Sequence, residues 1–155
     1  LYAGLMIEGD EIKFLEFNCR FGDPETQPIM LRLESSLTNL CLDAINKKLD
    51  EHQIEWSSMH SCGVVLASSG YPEGYETDME IDIKNHFSEN EKLFHAGTKF
   101  LDNKILTSGG RVFCMTALGE TLEIAIDNAY NAIPKINFEG MFFRSDIGKK
   151  GLNND

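Results

Sequence analysis

The chain has 155 residues, with 14 Lys and Arg against 25 Asp and Glu and a formal net charge of -11. That length suits one ordinary core, or one domain and a piece of another, and so acidic a surface excludes a nucleic-acid partner, which needs clustered cations. No run approaches the roughly 18 apolar residues of a membrane span and no cationic leader opens the chain, so a cytoplasmic protein without a membrane partner is expected.

"LYAGLMI" and "IKFLEFNCRF" flank the turn Glu8-Gly9-Asp10-Glu11, which predicts two antiparallel strands over residues 1–21. The start at Leu1, already within strand-like sequence, reads as a cut inside a longer protein. "ETQPIMLRL" suits a short helix with Pro28 in its first turn. Ser35-Ser36 then caps a second helix, "LTNLCLDAINKKL", with Leu37, Leu40, Cys41, Ala44 and Ile45 at helical spacing. The polar stretch "DEHQIEWSS" is the expected boundary.

Beyond it, "SCGVVLASSG" predicts a strand, "YPEGYET" a loop and "EIDI" a short strand. "KLFHAGTKFL" and "KILTSGGRVFCMTALG" read as two strands joined at Asp102-Asn103. In "TLEIAIDNAYNAIPKI", Leu122, Ala125, Ile126, Ala129 and Ile133 share one helical face behind the cap Thr121. The fold class is therefore α+β: antiparallel strands and helices, then a small β-rich domain closed by an amphipathic helix. Cys19, Cys41, Cys62 and Cys114 sit in apolar runs without a Cys-x-x-Cys pair, so buried reduced thiols are expected. His60-Ser-Cys62 is half a zinc motif without its second half. His95 reads as a packed strand residue, and Trp56, Tyr71 and Tyr75 as packing residues or pocket walls.

Chemistry concentrates in "EFNCRFGDPETQ". On a strand, Glu16, Asn18 and Arg20 share one face and Phe17, Cys19 and Phe21 the other, with successive members of a row about 6.5–7 Å apart. Carboxylate and amide oxygens are hard ligands of the kind magnesium takes one or two at a time, phosphates and water completing its shell. Arg20 would meet the anionic end of such a complex in two contacts. Gly22 frees and Pro24 stiffens the loop that carries Asp23 and Glu25. A second cationic spot is expected where a hairpin brings Lys99 near Arg111, with Gly109 and Gly110 leaving room for a ligand at backbone amides.

"EFNCRFGDPETQPIM" resembles the signature of the glycinamide ribonucleotide synthetase (phosphoribosylamine–glycine ligase) family of the ATP-grasp superfamily. The likeness continues through "GVVLASSGYPEGY", "FHAGTK", "SGGRVFCMTALGETL" and "RSDIG". It implies that residues 1–46 end an ATP-grasp domain, that 47–56 link, and that 57–155 form the family's C-terminal domain. The N-terminal portion of the same enzyme, with its nucleotide-covering lysines and glycine-rich loop, would be the missing partner. It further implies that ATP, glycine and 5-phosphoribosylamine are substrates and that magnesium or manganese is the cofactor.

The family's roles fall on Glu16 and Asn18 as metal ligands and on Arg20 and Asp23 in catalysis. Asp23, Glu25, Lys99, Gly110 and Arg111 would contact substrate, Lys99 and Arg111 at the ribose 5-phosphate. The alternatives are another ATP-grasp carboxylate–amine ligase, of the biotin-carboxylase type, and a non-catalytic structural domain. The loop "RFGDPETQ" argues against the first.

Overall fold

In a computed structural model that describes residues 2–51, 53–84 and 86–153, the chain begins with an antiparallel ribbon, β1 (Tyr2–Glu8) and β2 (Glu11–Asn18). Two short helices follow. α1 (Thr26–Arg32) holds Pro28 in its first turn, and α2 (Leu37–Ile45) starts where the Ser36 hydroxyl accepts the Asn39 amide at 3.4 Å. The polar stretch that follows is tied back: Ser57 N donates to Arg32 O at 2.8 Å, and Glu55 N to Ser35 Oγ at 2.7 Å.

β3 (His60–Ser68) begins the second unit. β4 (Asp82–Ile83), β5 (Glu91–His95), β6 (Thr98–Leu101), β7 (Lys104–Thr107) and β8 (Arg111–Gly119) follow, then α3 (Leu122–Ala132), β9 (Ile136–Asn137) and β10 (Met141–Phe142). The central antiparallel sheet has the order β10-β3-β8-β5. The two long strands expected around Asp102-Asn103 are in fact four. β5 stays on β8 as far as the bond from Gly97 N to Arg111 O at 2.7 Å, after which the chain leaves to form the separate β6–β7 hairpin. Asp102 and Asn103 carry φ of 49° and 60°, the left-handed pair that a two-residue hairpin turn requires.

α3 lays Ala125, Ile126, Ala129 and Ala132 on the sheet face carrying Val64, Leu66, Phe113 and Met115, all of them buried. Thr121 caps it by accepting Ile124 N at 3.2 Å. α1 covers the opposite face, where the Ser61 hydroxyl donates to Pro28 O at 3.1 Å. The expectation of four buried thiols is corrected: Cys62 and Cys114 lie in the sheet and are buried, whereas Cys19, just past the ribbon, and Cys41, beside the buried Leu40 on α2, are exposed. Among the described residues no helix is long and apolar enough to cross a membrane.

Candidate functional site

Two bulges aim the side chains that matter. Along the ribbon, Leu5 faces Phe14 but Gly4 faces Glu16, so Leu15 is an extra residue on β2. Residues in register share a face. The bulge therefore turns Glu16 and Asn18 to the side of Gly4 and Tyr2, and leaves Phe14 with Phe17 on the other, their ring centroids 4.2 Å apart. In the sheet, Leu66 faces Phe113 but Ala67 faces Arg111, which makes Val112 the extra residue. Plain alternation would send Arg111 into the core beside Phe113. The bulge instead sends it to the α1 side.

There Arg111 meets the loop after β2: its Nη2 lies 2.7 Å from Asp23 Oδ2. Tyr2, Glu16, Asn18, Arg20, Asp23, Thr26 and Arg111 line one cleft of about 560 Å³. It holds two carboxylates and two guanidiniums, a balanced site in a strongly acidic chain. The loop is folded on itself, since Thr26 donates to Gly22 O from its amide at 3.1 Å and from its hydroxyl at 2.5 Å, and Arg20 Nη1 donates to Phe21 O at 2.9 Å. The Asp23-Pro24 peptide is cis.

Glu16 and Asn18 fit a hard divalent cation. The Asn18 Nδ2 is buried without a hydrogen-bond partner, and an amide turned over presents oxygen at that point. Gly4 opposite leaves Glu16 room to lie across the ribbon, since a Cβ there would come 3.2 Å from Glu16 Cγ. Two protein ligands suffice where phosphate and water supply the rest.

The other expected site residues lie outside this cleft. Glu25 accepts the Tyr2 hydroxyl at 3.2 Å, and its carboxylate raises the Tyr2 pKa, keeping the phenol a donor. Lys99 is ion-paired with Asp78, whose carboxyl the bond from Lys99 holds below its ordinary value. The hairpin that carries Lys99 ends at Thr98 and Thr107, so Arg111 is not part of it. The space beside Gly110 is taken by the Tyr71 ring, into which a Cβ would run. His95 packs edge-on to Phe113 with ring centroids 4.9 Å apart, though it remains exposed. Burial pushes the Cys62 thiol up to about 11 and also raises Cys114, which leaves both protonated at neutral pH and poor nucleophiles.

Sequence reasoning missed Tyr2 and Thr26 as cleft residues and Tyr71 as the partner of Arg111, at 3.0 Å from the phenol oxygen to Nη1. Tyr71 stood in a pattern that fits packing equally well. Tyr2 was hidden by the bulge.

An α+β assembly in which a two-stranded ribbon and two short helices meet a small β-rich domain across one polar cleft is thus what fold and site define. The model of the phosphoribosylglycinamide synthetase C domain matches residues 61–150, and that of the same synthetase's ATP-grasp (A) domain matches residues 1–26. The chain belongs to the phosphoribosylglycinamide synthetase family.

It is 51% identical to a phosphoribosylamine–glycine ligase of Vibrio vulnificus over 98% of this chain and 36% of the relative. With that of Salmonella typhimurium it shares 51% identity over 100% of this chain and 37% of the relative. A crystal structure of a phosphoribosylamine–glycine ligase from Thermotoga maritima superposes with a TM-score of 0.73 at 33% identity, covering 93% of this chain and 35% of the other. The chain thus spans a little over a third of the length of these curated relatives.

Proposed function

We propose that this chain is the C-terminal part of a phosphoribosylamine–glycine ligase, an enzyme that joins glycine to 5-phosphoribosylamine at the expense of ATP. The observation that carries this reading is one cleft to which both family-matched segments contribute, Glu16 and Asn18 from the ribbon and Arg111 from the β-rich unit. Residues 1–46 would end the ATP-grasp domain, 47–56 link, and 57–155 form the C-terminal domain. The rest of the enzyme would cover the apolar ribbon face of Leu5, Ile7, Ile12, Phe14 and Phe17, all exposed here.

In this reading the glycine carboxylate attacks the terminal phosphate of ATP, releasing ADP. The amine of phosphoribosylamine then attacks the glycyl phosphate and expels inorganic phosphate. Glu16 and Asn18 would hold magnesium or manganese, which would offset the charge of the phosphates. Arg20 lines the same cleft two residues on and offsets the charge on the group in transfer, in chemistry that depends mainly on positioning. Arg111 takes the 5-phosphate of phosphoribosylamine, and Asp23 then exchanges its guanidinium partner for the glycine ammonium. Glu25 shapes the loop through Tyr2, and Lys99 stands by as a second cation for the phosphoribosyl group.

An assay of ADP release by the full-length protein tests this, with glycine and phosphoribosylamine together and with each omitted. Release that depends on glycine and is greatest with both is expected. Equal release with neither present would sink the reading.

A further inference from the structure

Arg111 is held by more than its ion pair. Its Nη1 donates to the Tyr71 hydroxyl at 3.0 Å, and its guanidinium carbon lies 5.8 Å from the centre of the Tyr71 ring. The ring itself is seated on backbone. It fills the space where a Cβ on Gly110 would stand, next to Arg111 in the chain, with Tyr75 beside it at 6.1 Å between centroids. The loop bearing Tyr71 is also bonded to the start of β8: Ser68 N donates to Gly110 O at 2.8 Å, the Ser68 hydroxyl to Gly109 O at 3.2 Å, and Tyr71 N to Ser68 O at 3.1 Å. One edge of the fork is thus committed to a rigid phenol while the other, Nη2, reaches into the cleft and rests on Asp23.

We propose that Tyr71 is the positioning residue for Arg111, fixing one edge of its guanidinium so that the cleft-facing edge is presented to the phosphate monoester of the substrate. For its ligand this rests on the ligase reading; the positioning itself does not. A long side chain ordered before binding loses less freedom on binding, and such ordering is worth about 0.5–1.5 kcal/mol per side chain, or roughly 2- to 13-fold in affinity. Gly110 belongs to the same device, since any side chain there would displace the ring. The loop's Gly-Tyr-Pro sequence therefore acts on the cleft without Tyr71 lining it.

The test uses Tyr71→Phe, which keeps the ring and deletes the hydroxyl. In the full-length protein the order of the Arg111 Nε–Hε group is read by ¹⁵N relaxation, and ribose 5-phosphate is titrated calorimetrically into the wild type, Tyr71→Phe, Arg111→Ala and the double variant. Tyr71→Phe is expected to loosen the Arg111 guanidinium and weaken ribose 5-phosphate about 2- to 13-fold. It should have no further effect once Arg111 is Ala, because a residue acting through another cannot act in its absence. Unchanged Arg111 order, unchanged affinity in Tyr71→Phe, or two effects that simply add would overturn the positioning role. A wild type that ignores ribose 5-phosphate while Tyr71→Phe loosens Arg111 would sustain the positioning of Arg111 and sink the ligase reading of the cleft instead.

Discussion

The ribbon and the central sheet are built from the same kind of antiparallel pairing, yet they differ in almost everything that stabilises a fold. In the sheet, β3 and β8 are covered by α3 on one face and α1 on the other, and Phe113 is 1% exposed. In the ribbon, Ile7 and Phe17 are 66% and 62% exposed, and nothing described lies over them. A two-stranded hairpin is marginal in water by itself. The sheet therefore supplies rigidity, and the ribbon presents Glu16 and Asn18 to the cleft from a far less supported element. The cleft spans this difference, since one of its guanidiniums comes from the stiff side and its carboxylates from the other.

The largest effect should appear when the chain is asked to work and to hold together alone. Phosphoryl transfer needs several groups around the phosphates, and a chain spanning little over a third of its relatives' length supplies only part of such a set. No ATP-dependent ligation by the 155-residue chain is expected. Its hydrogen exchange should show slow amides in β3, β8 and α3 and fast ones in β1 and β2. Equal protection in ribbon and sheet would erase the contrast, and measurable ligation would overturn the inert reading of the isolated chain.

Side-chain truncation sharpens the same comparison. Phe113→Ala should cost about 3–5 kcal/mol by urea unfolding, because the ring is fully enclosed and leaves a cavity. Ile7→Ala, on the open ribbon, should cost no more than about 0.5 kcal/mol. A large loss at Ile7 would mean that its face is covered in solution.

At the cleft, Arg111→Ala in the full-length protein should raise the KM for phosphoribosylamine by about 10-fold, in line with loss of a charge-assisted contact of ~1.5 kcal/mol, and leave the KM for ATP nearly unchanged. Glu16→Gln should instead raise the metal concentration needed for half-maximal rate. Should both KM values rise equally in Arg111→Ala, misplacement of the units would be the better account. An unaltered metal requirement would remove Glu16 from the site.

The period-2 and helical patterns carried most of the architecture: both ribbon strands, the caps at Ser36 and Thr121, the apolar face of α3 and the turn at Asp102-Asn103 were legible. The bulges were not. Counting back from the Glu8–Glu11 turn without one puts Tyr2 opposite Phe17, whereas the extra Leu15 puts it opposite Asn18 and so inside the cleft. Likewise, alternation along β8 groups Arg111 with Phe113, and only the displaced Val112 separates them. An extra residue leaves no mark in a pattern of apolar and polar side chains, because both bulged positions are themselves apolar. The expected hairpin joining Lys99 to Arg111 fails for another reason: two cations close in sequence read as one spot, but each pairs with its own carboxylate, Asp78 and Asp23.

A pH dependence is expected on the sheet side. Glu91, at the start of β5, is bonded to Lys135 Nζ at 2.6 Å and accepts Ser88 N at 2.8 Å, with side-chain exposures of 28% for Lys135 and 13% for Glu91. Burial pushes the Glu91 carboxyl up, but the Lys135 and Ser88 bonds outweigh it and hold it below its ordinary value. A carboxyl depressed in the folded state stabilises the fold in full above its unfolded pKa, about 4.3, and loses that contribution as pH falls through the lower folded value. Stability should therefore decline on acidification below about pH 5. Lys135→Met should lower stability at pH 7 by about 1–2 kcal/mol, since it strips a charged partner from a mostly buried carboxylate. It should also flatten the acid slope, because the pKa of Glu91 then moves up toward its unfolded value. Urea midpoints of wild type and variant at pH 7 and pH 4 measure both effects. A gap between the two proteins that widens toward pH 4 has the wrong sign for this linkage and would remove Glu91 as its source.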